Sequence, residues 1–397
     1  MNILFANNIC GYYGGVEQVI LHTARGLTAR GHRCSLAYSV TERNPEEFVK
    51  AFADTFPCNE FACPQPQPTG ELFPRILERA RPDVVFFHKV TQLPPNAEHT
   101  PGVRMVRMVH DMDLFCPSGL GYFRHSRRVC HHRAGWCCWL DLAFLARASS
   151  SRMPVRLVGI GRKLREMRRN HHIGTVLAVS GFIRNKLVAN GFPEDQVHVC
   201  HPILDVANPL PTPVPGEPRI LFVGALLRGK GVDLLLRALR EVSCAYTATI
   251  VGAGPLEHKL KALCGKLGLN RRVTFAGWVA PKETARYYSE AKVVAIPSCW
   301  PEPFTLVGQE SMRYGRPVVA FDVGGNTDWL EHDVTGVLVP EQDVRAFARA
   351  LERLLTDTAY AARLGANAAR RVRQRFPFAG YLDQVEAYLL GKTPGRV

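Results

Sequence analysis

SCWPEPFTLVGQESMRYGRPVVAFD, residues 298–322, holds two carboxylates, Glu302 and Glu310, eight residues apart. Pro301 and Pro303 keep Glu302 in an extended loop, because a residue that precedes proline is driven out of the α region. Thr305 is placed to cap a helix that runs over Leu306, Val307, Glu310 and Tyr314 and stops at Gly315. After Pro317 the apolar run Val318-Val319-Ala320 reads as a buried strand. Loop, helix and buried strand in this order are the repeating unit of a parallel α/β sheet. Glu302 then stands in front of a helix N-terminus and Glu310 on its second turn. The unpaired N–H groups and the dipole there favour an anion by about 0.3–1 kcal/mol, rising to about 2 kcal/mol when partly buried. A carboxylate beside an anion site is costly unless it accepts hydroxyls, and sugars and ribose offer hydroxyls in pairs. The stretch therefore suits a nucleotide-sugar. Taken alone, the two glutamates also fit a solvated loop and a surface helix face, and the surrounding motifs must choose.

Upstream, Phe222-Val223-Gly224-Ala225-Leu226-Leu227-Arg228-Gly229-Lys230-Gly231 reads as a strand, a glycine loop and a helix start, which cradles phosphate with backbone amides and a lysine. Val251-Gly252-Ala253-Gly254-Pro255 and Gly277-Trp278-Val279 each follow a further strand; Trp278 fits either a base-binding edge or the core. Near the N-terminus, Gly11-Tyr12-Tyr13-Gly14-Gly15-Val16-Glu17 follows the first strand and opens a helix reaching to about Ala29. It lacks the full dinucleotide fingerprint, and no acidic residue is well placed after the second strand, so it does not read as an NAD site. His110-Asp111-Met112-Asp113 ends a later strand.

The segment from Pro301 through Phe304, the helix after it, Gly315-Arg316-Pro317-Val318-Val319-Ala320 and Gly324-Gly325 closely resemble the donor-binding part of retaining glycosyltransferases of family 4. Gly14-Gly15-Val16-Glu17-Gln18, Leu27–His32 and His110-Asp111 resemble the opening half of the same family, so the resemblance covers nearly the whole chain. It implies the GT-B fold: two Rossmann-like α/β domains facing a central cleft, with a C-terminal helix crossing back to the first. On this reading residues 1–206 are the acceptor-side domain, 207–218 a proline-rich linker, 219–376 the nucleotide-sugar domain and 377–397 the returning helix.

The resemblance also implies roles. Glu310 would take the ribose hydroxyls, and the catalytic pair would be Glu302 on the sugar hydroxyls and His110 on the sugar from the opposite wall. Lys230 matches the diphosphate lysine. The arginine that usually follows the first glycine of that loop is Ala225 here, which leaves Arg228, three residues on, as its candidate replacement. Gly14 and Gly15 would face the diphosphate and acceptor, Gly252 and Gly254 the nucleotide, Trp278 and Val279 the base, and the amides around Phe304, Thr305 and Leu306 the leaving diphosphate. The implied reaction moves a sugar, with retention, from a UDP- or GDP-sugar to a hydroxyl of a glycan or lipid-linked glycan. No cofactor and no metal is needed if lysine and arginine carry the developing charge. His110 also fits a packed strand-end histidine, and Asp111 with Asp113 a metal pair. Two rival functions are a degenerate nucleotide or glycan binder, which Ala225 favours, and a polyanion or membrane-surface binder.

That last rival comes from charge. The 397 residues carry a net charge of +15, and residues 101–175 hold 14 Lys and Arg against 4 Asp and Glu, or +10 of that total. Such a field attracts an anionic lipid surface, nucleic acid or an acidic acceptor; with the transferase motifs present, nucleic acid is not the expected partner. Within the stretch, Leu157, Ile160, Leu164 and Met167 fall at helical spacing among arginines, as in a helix lying on an anionic membrane or one packed on its own domain. Cys116, Cys130, Cys137 and Cys138, with His125, His131 and His132 nearby, are candidate ligands of a structural zinc, although their spacing matches no regular zinc finger. Hydrophobic content of 46% against 21% charge describes a globular chain. MNILFANN reads as a strand from the start, without a basic leader, so the expected location is the cytoplasm or the cytoplasmic face of the membrane, with the 12 cysteines mostly reduced. Expected strands are Ile3–Asn7, Cys34–Tyr38, Val84–Phe87, Met105–Val109 and Val176–Val179 before the linker, and the resemblance implies a closing strand within Val197–Asp205. After it come Ile220–Val223, Thr247–Val251, Val273–Phe275, Val293–Ile296, Val318–Ala320 and Val337–Val339.

Overall fold

The computed structural model describes residues 1–12, 14–61, 70–95, 97, 100–147, 155–157, 159–205, 212–280 and 283–393. Among them fifteen strands follow one another: β1 (Asn2–Cys10), β2 (Arg33–Thr41), β3 (Thr55–Pro57), β4 (Val84–Phe87), β5 (Arg104–Val109), β6 (Leu145–Arg147), β7 (Val155–Leu157), β8 (Thr175–Ala178), β9 (Val197–Val199), β10 (Arg219–Val223), β11 (Thr247–Val251), β12 (Val273–Gly277), β13 (Val293–Ile296), β14 (Val318–Phe321) and β15 (Gly336–Val339). They make two parallel sheets, ordered β3-β2-β1-β4-β5-β8-β9 and β12-β11-β10-β13-β14-β15, and a small antiparallel pair, β6-β7.

Each large sheet reverses its strand order once, between β1 and β4 in the first and between β10 and β13 in the second. At such a switch the connections leave in opposite directions and open a crevice beyond the carboxyl ends of the strands, where α/β sheets bind ligands. β4 (VVFF), β13 (VVAI) and β14 (VVAF) are buried at every residue, because helices cover both faces of a parallel sheet. Every expected strand is present, several of them a residue or more longer; β3 and the β6-β7 pair were not foreseen.

The chain divides into two compact units. The first holds residues 1–120, 131–205 and 378–397. The helix Phe378–Leu389 buries Tyr381, Leu382, Val385 and Leu389 there, with the Tyr381 hydroxyl 2.9 Å from Thr23 Oγ1 and Glu386 paired with Arg30 and His32. The second unit holds residues 206–377 together with residues 121–130, a short stretch that the sequence reading places in the first domain. The proline-rich linker is partly described: buried Arg316 donates to the carbonyls of Thr212 and Pro213, while residues 206–211 lie outside the described set. The amphipathic pattern at 157–167 splits, with Leu157 in β7 and the helix running over Ile160–Asn170. Gly159, a poor helix former, stands at the break as the N-cap residue, while Gly161 is taken into the helix.

Candidate active site

In the second unit the reversal of strand order brings the loop after β10 beside the loop after β13. The first loop closes with a 3-10 turn, Arg228–Lys230, and Gly231 at φ 67° before the helix Val232–Glu241. A Cβ on Gly231 would lie 1.8 Å from the Pro297 carbonyl oxygen, so only glycine lets the two loops meet. They meet through charge: Lys230 Nζ lies 2.7 Å from Glu302 Oε1, and the buried Ser298 hydroxyl donates to the same oxygen at 2.5 Å. Glu302 is 5% exposed, and no described residue bonds its Oε2. Its backbone is fixed as well, because the Gly325 amide donates to the Glu302 carbonyl at 2.6 Å. One carboxylate oxygen therefore holds the lysine while the other is open to a hydroxyl, and the ammonium, with three hydrogens, keeps donors to spare.

The helix expected from the sequence runs over Leu306–Arg313 with Thr305 at its N-cap position. Thr305 does not cap it through its side chain, contrary to expectation: the hydroxyl donates to Asn326 Oδ1 instead, at 2.9 Å, in a buried pair. That leaves the first-turn amides of this helix without a threonine hydroxyl. Phe304 and Thr305 are buried and Leu306 half-buried. On the second turn Glu310 accepts a 2.6 Å bond from the Tyr288 hydroxyl, and burial raises its carboxyl above the usual range. Gly252 and Gly254 pack on the backbone of the first loop: a Cβ on Gly252 would meet the Gly224 carbonyl at 1.9 Å, and one on Gly254 the Leu226 backbone at 2.7 Å. Trp278 is 60% exposed, so it is not core, and Val279 beside it is half-buried. Ala225 and Arg228 are exposed.

Residues 121–130 add groups that the sequence did not point to. Arg127 makes a bidentate pair with Asp233, 2.9 Å on each arm, and the Val129 amide donates to Glu341. Tyr122 sits edge-on to Trp300 and against Gly229. The charges of Arg228, Arg127 and Arg124 all reach the Tyr122 hydroxyl.

In the first unit the Gly14 amide already donates to Glu17 Oε2 at 2.9 Å, which caps the helix Gly15–Ala29 and takes that amide from any phosphate; Gly14 and Gly15 are exposed. His110, past the end of β5, is joined to His88, past the end of β4, with Nε2 of the first 2.9 Å from Nδ1 of the second. Burial pushes His110 down to about 4 and His88 well below the usual histidine range, so both rings are neutral near pH 7. Asp111 and Asp113 share Lys89, at 2.6 and 3.4 Å, so the cation that this pair holds is a lysine. Among the described residues no three His, Cys, Asp or Glu form a metal-holding group. Of the zinc candidates, Cys130 falls in the second unit and Cys116, Cys137 and Cys138 in the first, where burial, with the neighbouring Cys137 and Cys116, raises the Cys138 thiol to about 11.

His88, Lys89, Ser298 and Tyr288 were missed by motif reading. The signal for the first two was position, since His88-Lys89 directly follows the apolar run of β4 at the strand-order reversal.

Two parallel α/β units with ligand-facing loops at the strand ends are the GT-B arrangement. The solved structures agree: the Anabaena protein HepE in complex with UDP matches at TM-score 0.75 and 20% identity over 98% of this chain and 100% of its own. Sucrose-phosphate synthase from Thermosynechococcus elongatus matches at 0.74 and 21%, over 98% of each. At that identity the likeness concerns the fold. Two family models tile the sequence, Glycosyltransferase Family 4 over residues 13–208 and Glycosyl transferases group 1 over 211–371. The chain belongs to the family 4, group 1 glycosyltransferases. Among curated relatives it is 36% identical over 227 residues to a D-inositol 3-phosphate glycosyltransferase of Xylanimonas cellulosilytica, covering 51% of this chain and 54% of that protein. It is 32% identical over 174 residues to an alpha-D-kanosaminyltransferase of Streptomyces kanamyceticus, covering 43% and 44%. In each, the chain spans about half the length of the relative it matches.

Proposed function

We propose that the protein transfers a sugar, with retention at the anomeric carbon, from a nucleoside diphosphate sugar to a hydroxyl of a glycan or lipid-linked glycan. The observation that carries this reading is the Lys230–Glu302 pair, in which a phosphate-type lysine and a hydroxyl-type carboxylate touch and each keeps bonding capacity in reserve. Lys230 can hold Glu302 through one hydrogen and a phosphate oxygen through another. Glu302 Oε2 then accepts a sugar hydroxyl, Glu310 the ribose hydroxyls, and His110 makes a further polar contact to the sugar. The bond from the anomeric carbon to the phosphate oxygen breaks, and the acceptor oxygen forms its bond on the same face. The acceptor proton passes to the departing phosphate oxygen. Charge grows on the diphosphate as this happens, so fixed donors there, with Lys230 and Arg228 foremost, lower the barrier. The UDP carried by the fold neighbour from Anabaena favours uracil as the first base to try.

Titration calorimetry of UDP, GDP and ADP into the wild type, Glu310→Gln and Glu310→Ala, with chelator present, tests the donor site. One nucleotide should bind at micromolar affinity, indifferent to chelator, and weaken in both variants. Binding of none of the three would refute the reading.

A second feature concerns the acceptor. Trp136, Trp139, Leu140 and Leu142 are all more than half exposed, and Leu157 is 75% exposed, in the strongly basic part of the chain. Apolar rings and basic residues side by side fit an anionic lipid surface, which would bring the enzyme to a lipid-linked glycan. No described helix is long and apolar enough to cross a membrane. Co-sedimentation with vesicles containing phosphatidylglycerol, compared with neutral vesicles and with Trp136→Ser/Trp139→Ser, measures this directly; equal recovery in all three cases would remove it.

A further inference from the structure

The geometry points to His88 as a positioning residue that holds the ring of His110 with its hydrogen on Nδ1, presenting a donor to an oxygen of the bound sugar. This rests on the reading of His110 as a sugar contact. It concerns a residue that no motif marks, and it follows from how the two rings are joined.

The rings meet end to end. Their centroids are 5.2 Å apart with planes 22° from parallel, while the facing nitrogens are 2.9 Å apart. That is an in-plane N–H···N bond, in which one nitrogen carries the hydrogen and the other a lone pair. If His110 held the hydrogen on Nε2, His88 would accept at Nδ1 and carry its own hydrogen on Nε2. If His88 donates from Nδ1 instead, its Nε2 is bare, His110 Nε2 accepts, and His110 must carry its hydrogen on Nδ1.

The surroundings of His88 decide between these. His88 is 1% exposed; its ring lies near-parallel to Phe5 and 4.2 Å from the Phe86 ring, so it cannot turn to find other partners. Its Nε2 is buried with no described hydrogen-bond partner. The charged group that reaches it besides the His pair is Arg107, on the strand beside it, a donor-only side chain whose own Nε–H is buried without a described partner. A positive, donor-only neighbour tolerates a lone pair on Nε2 and disfavours an N–H, and orphaned buried N–H groups are the rarer defect in folded proteins. His88 is therefore the donor. His110 is only half-buried, which leaves its Nδ1 side as the face that a ligand can reach.

The test uses the full chain labelled with 15N-histidine, with long-range proton–nitrogen correlation to read which ring nitrogen carries hydrogen and His110→Gln to assign the signals. The expected result is hydrogen on Nδ1 of both His88 and His110. In His88→Phe, His110 should shift to hydrogen on Nε2. In His88→Asn, whose side-chain N–H takes the place of Nδ1–H, it should return to Nδ1. Hydrogen on His110 Nε2 in the wild type, or an unchanged ring in a folded His88→Phe, overturns the proposal. Should the Phe variant fail to fold, the wild-type tautomer alone still decides. With UDP and UDP-glucose as probes, His88→Phe should bind UDP as before and UDP-glucose about five-fold more weakly, the worth of one neutral hydrogen bond, with recovery in His88→Asn. The tautomers are read without any ligand, so a protein that binds no nucleotide would refute the donor-site reading while His88 is judged on its own.

Discussion

Two lysines stand at the strand-order reversals of the two sheets, and they are used in opposite ways. Lys89, after β4, is shared by Asp111 and Asp113, which raise it well above the ordinary lysine range. Lys230, after β10, meets a single carboxylate, and that carboxylate has its second donor in Ser298. An ammonium with two carboxylates is a strut between loops. An ammonium with one carboxylate, itself held by a neighbour, can take a ligand without abandoning its partner. The difference lies in how many acceptors each lysine faces.

The largest effect should come from Lys230→Ala. Loss of a charge-assisted bond, about 1.5–3 kcal/mol, weakens the binding of the accepted nucleotide roughly 10- to 150-fold by calorimetry. Glu302→Ala should do the opposite in binding, leaving nucleotide affinity intact or higher while abolishing sugar transfer. If both variants weaken the nucleotide equally, the lysine has no reserve and the comparison breaks. Lys89→Met should lower the urea unfolding midpoint by the equivalent of about 1–2 kcal/mol, allowing for its partial solvent exposure, and leave nucleotide affinity unchanged. A change in affinity there would make Lys89 more than a strut. Ser298→Ala removes one donor from Glu302 and should slow transfer by about 1 kcal/mol, near five-fold, with little change in nucleotide binding.

The smallest effect is on pH dependence. His88 and His110 have folded pKa values below the unfolded value of 6.5, with His110 at about 4. Between these limits the unfolded chain binds more protons than the folded one, so stability is full above about pH 6.5 and falls as the pH drops toward 4. Urea midpoints measured across that window should slope less steeply in His88→Phe than in the wild type.

The sheets were legible because buried parallel strands are nearly pure Val, Ile, Ala and Phe, as in β4, β13 and β14. The loops after β10 and β11 were legible because glycines must stand where backbones approach, as at Gly231 against Pro297 and Gly252 against Gly224. What escaped depends on partners that already hold the group, most of them distant in sequence. Thr305 has the composition of a capping residue, but Asn326 captures its hydroxyl. Gly14 looks like an open phosphate amide, but Glu17 fills it. Asp111 and Asp113 look like metal ligands until Lys89, more than twenty residues earlier, is placed beside them. Local pattern reports a group's chemistry; the fold determines whether that group is already engaged.

The excursion at residues 121–130 bears on how the protein can be taken apart. The chain passes between units at 120, 130, 205 and 377, so the second unit is not one continuous stretch of gene. A fragment beginning at the linker would lose Arg127 from Asp233, Val129 from Glu341 and Tyr122 from the face of Gly229 and Trp300. Chimeras that exchange halves between relatives at the linker would inherit a second unit stripped of these contacts. A working exchange has to carry those ten residues along with the half to which they do not belong in sequence.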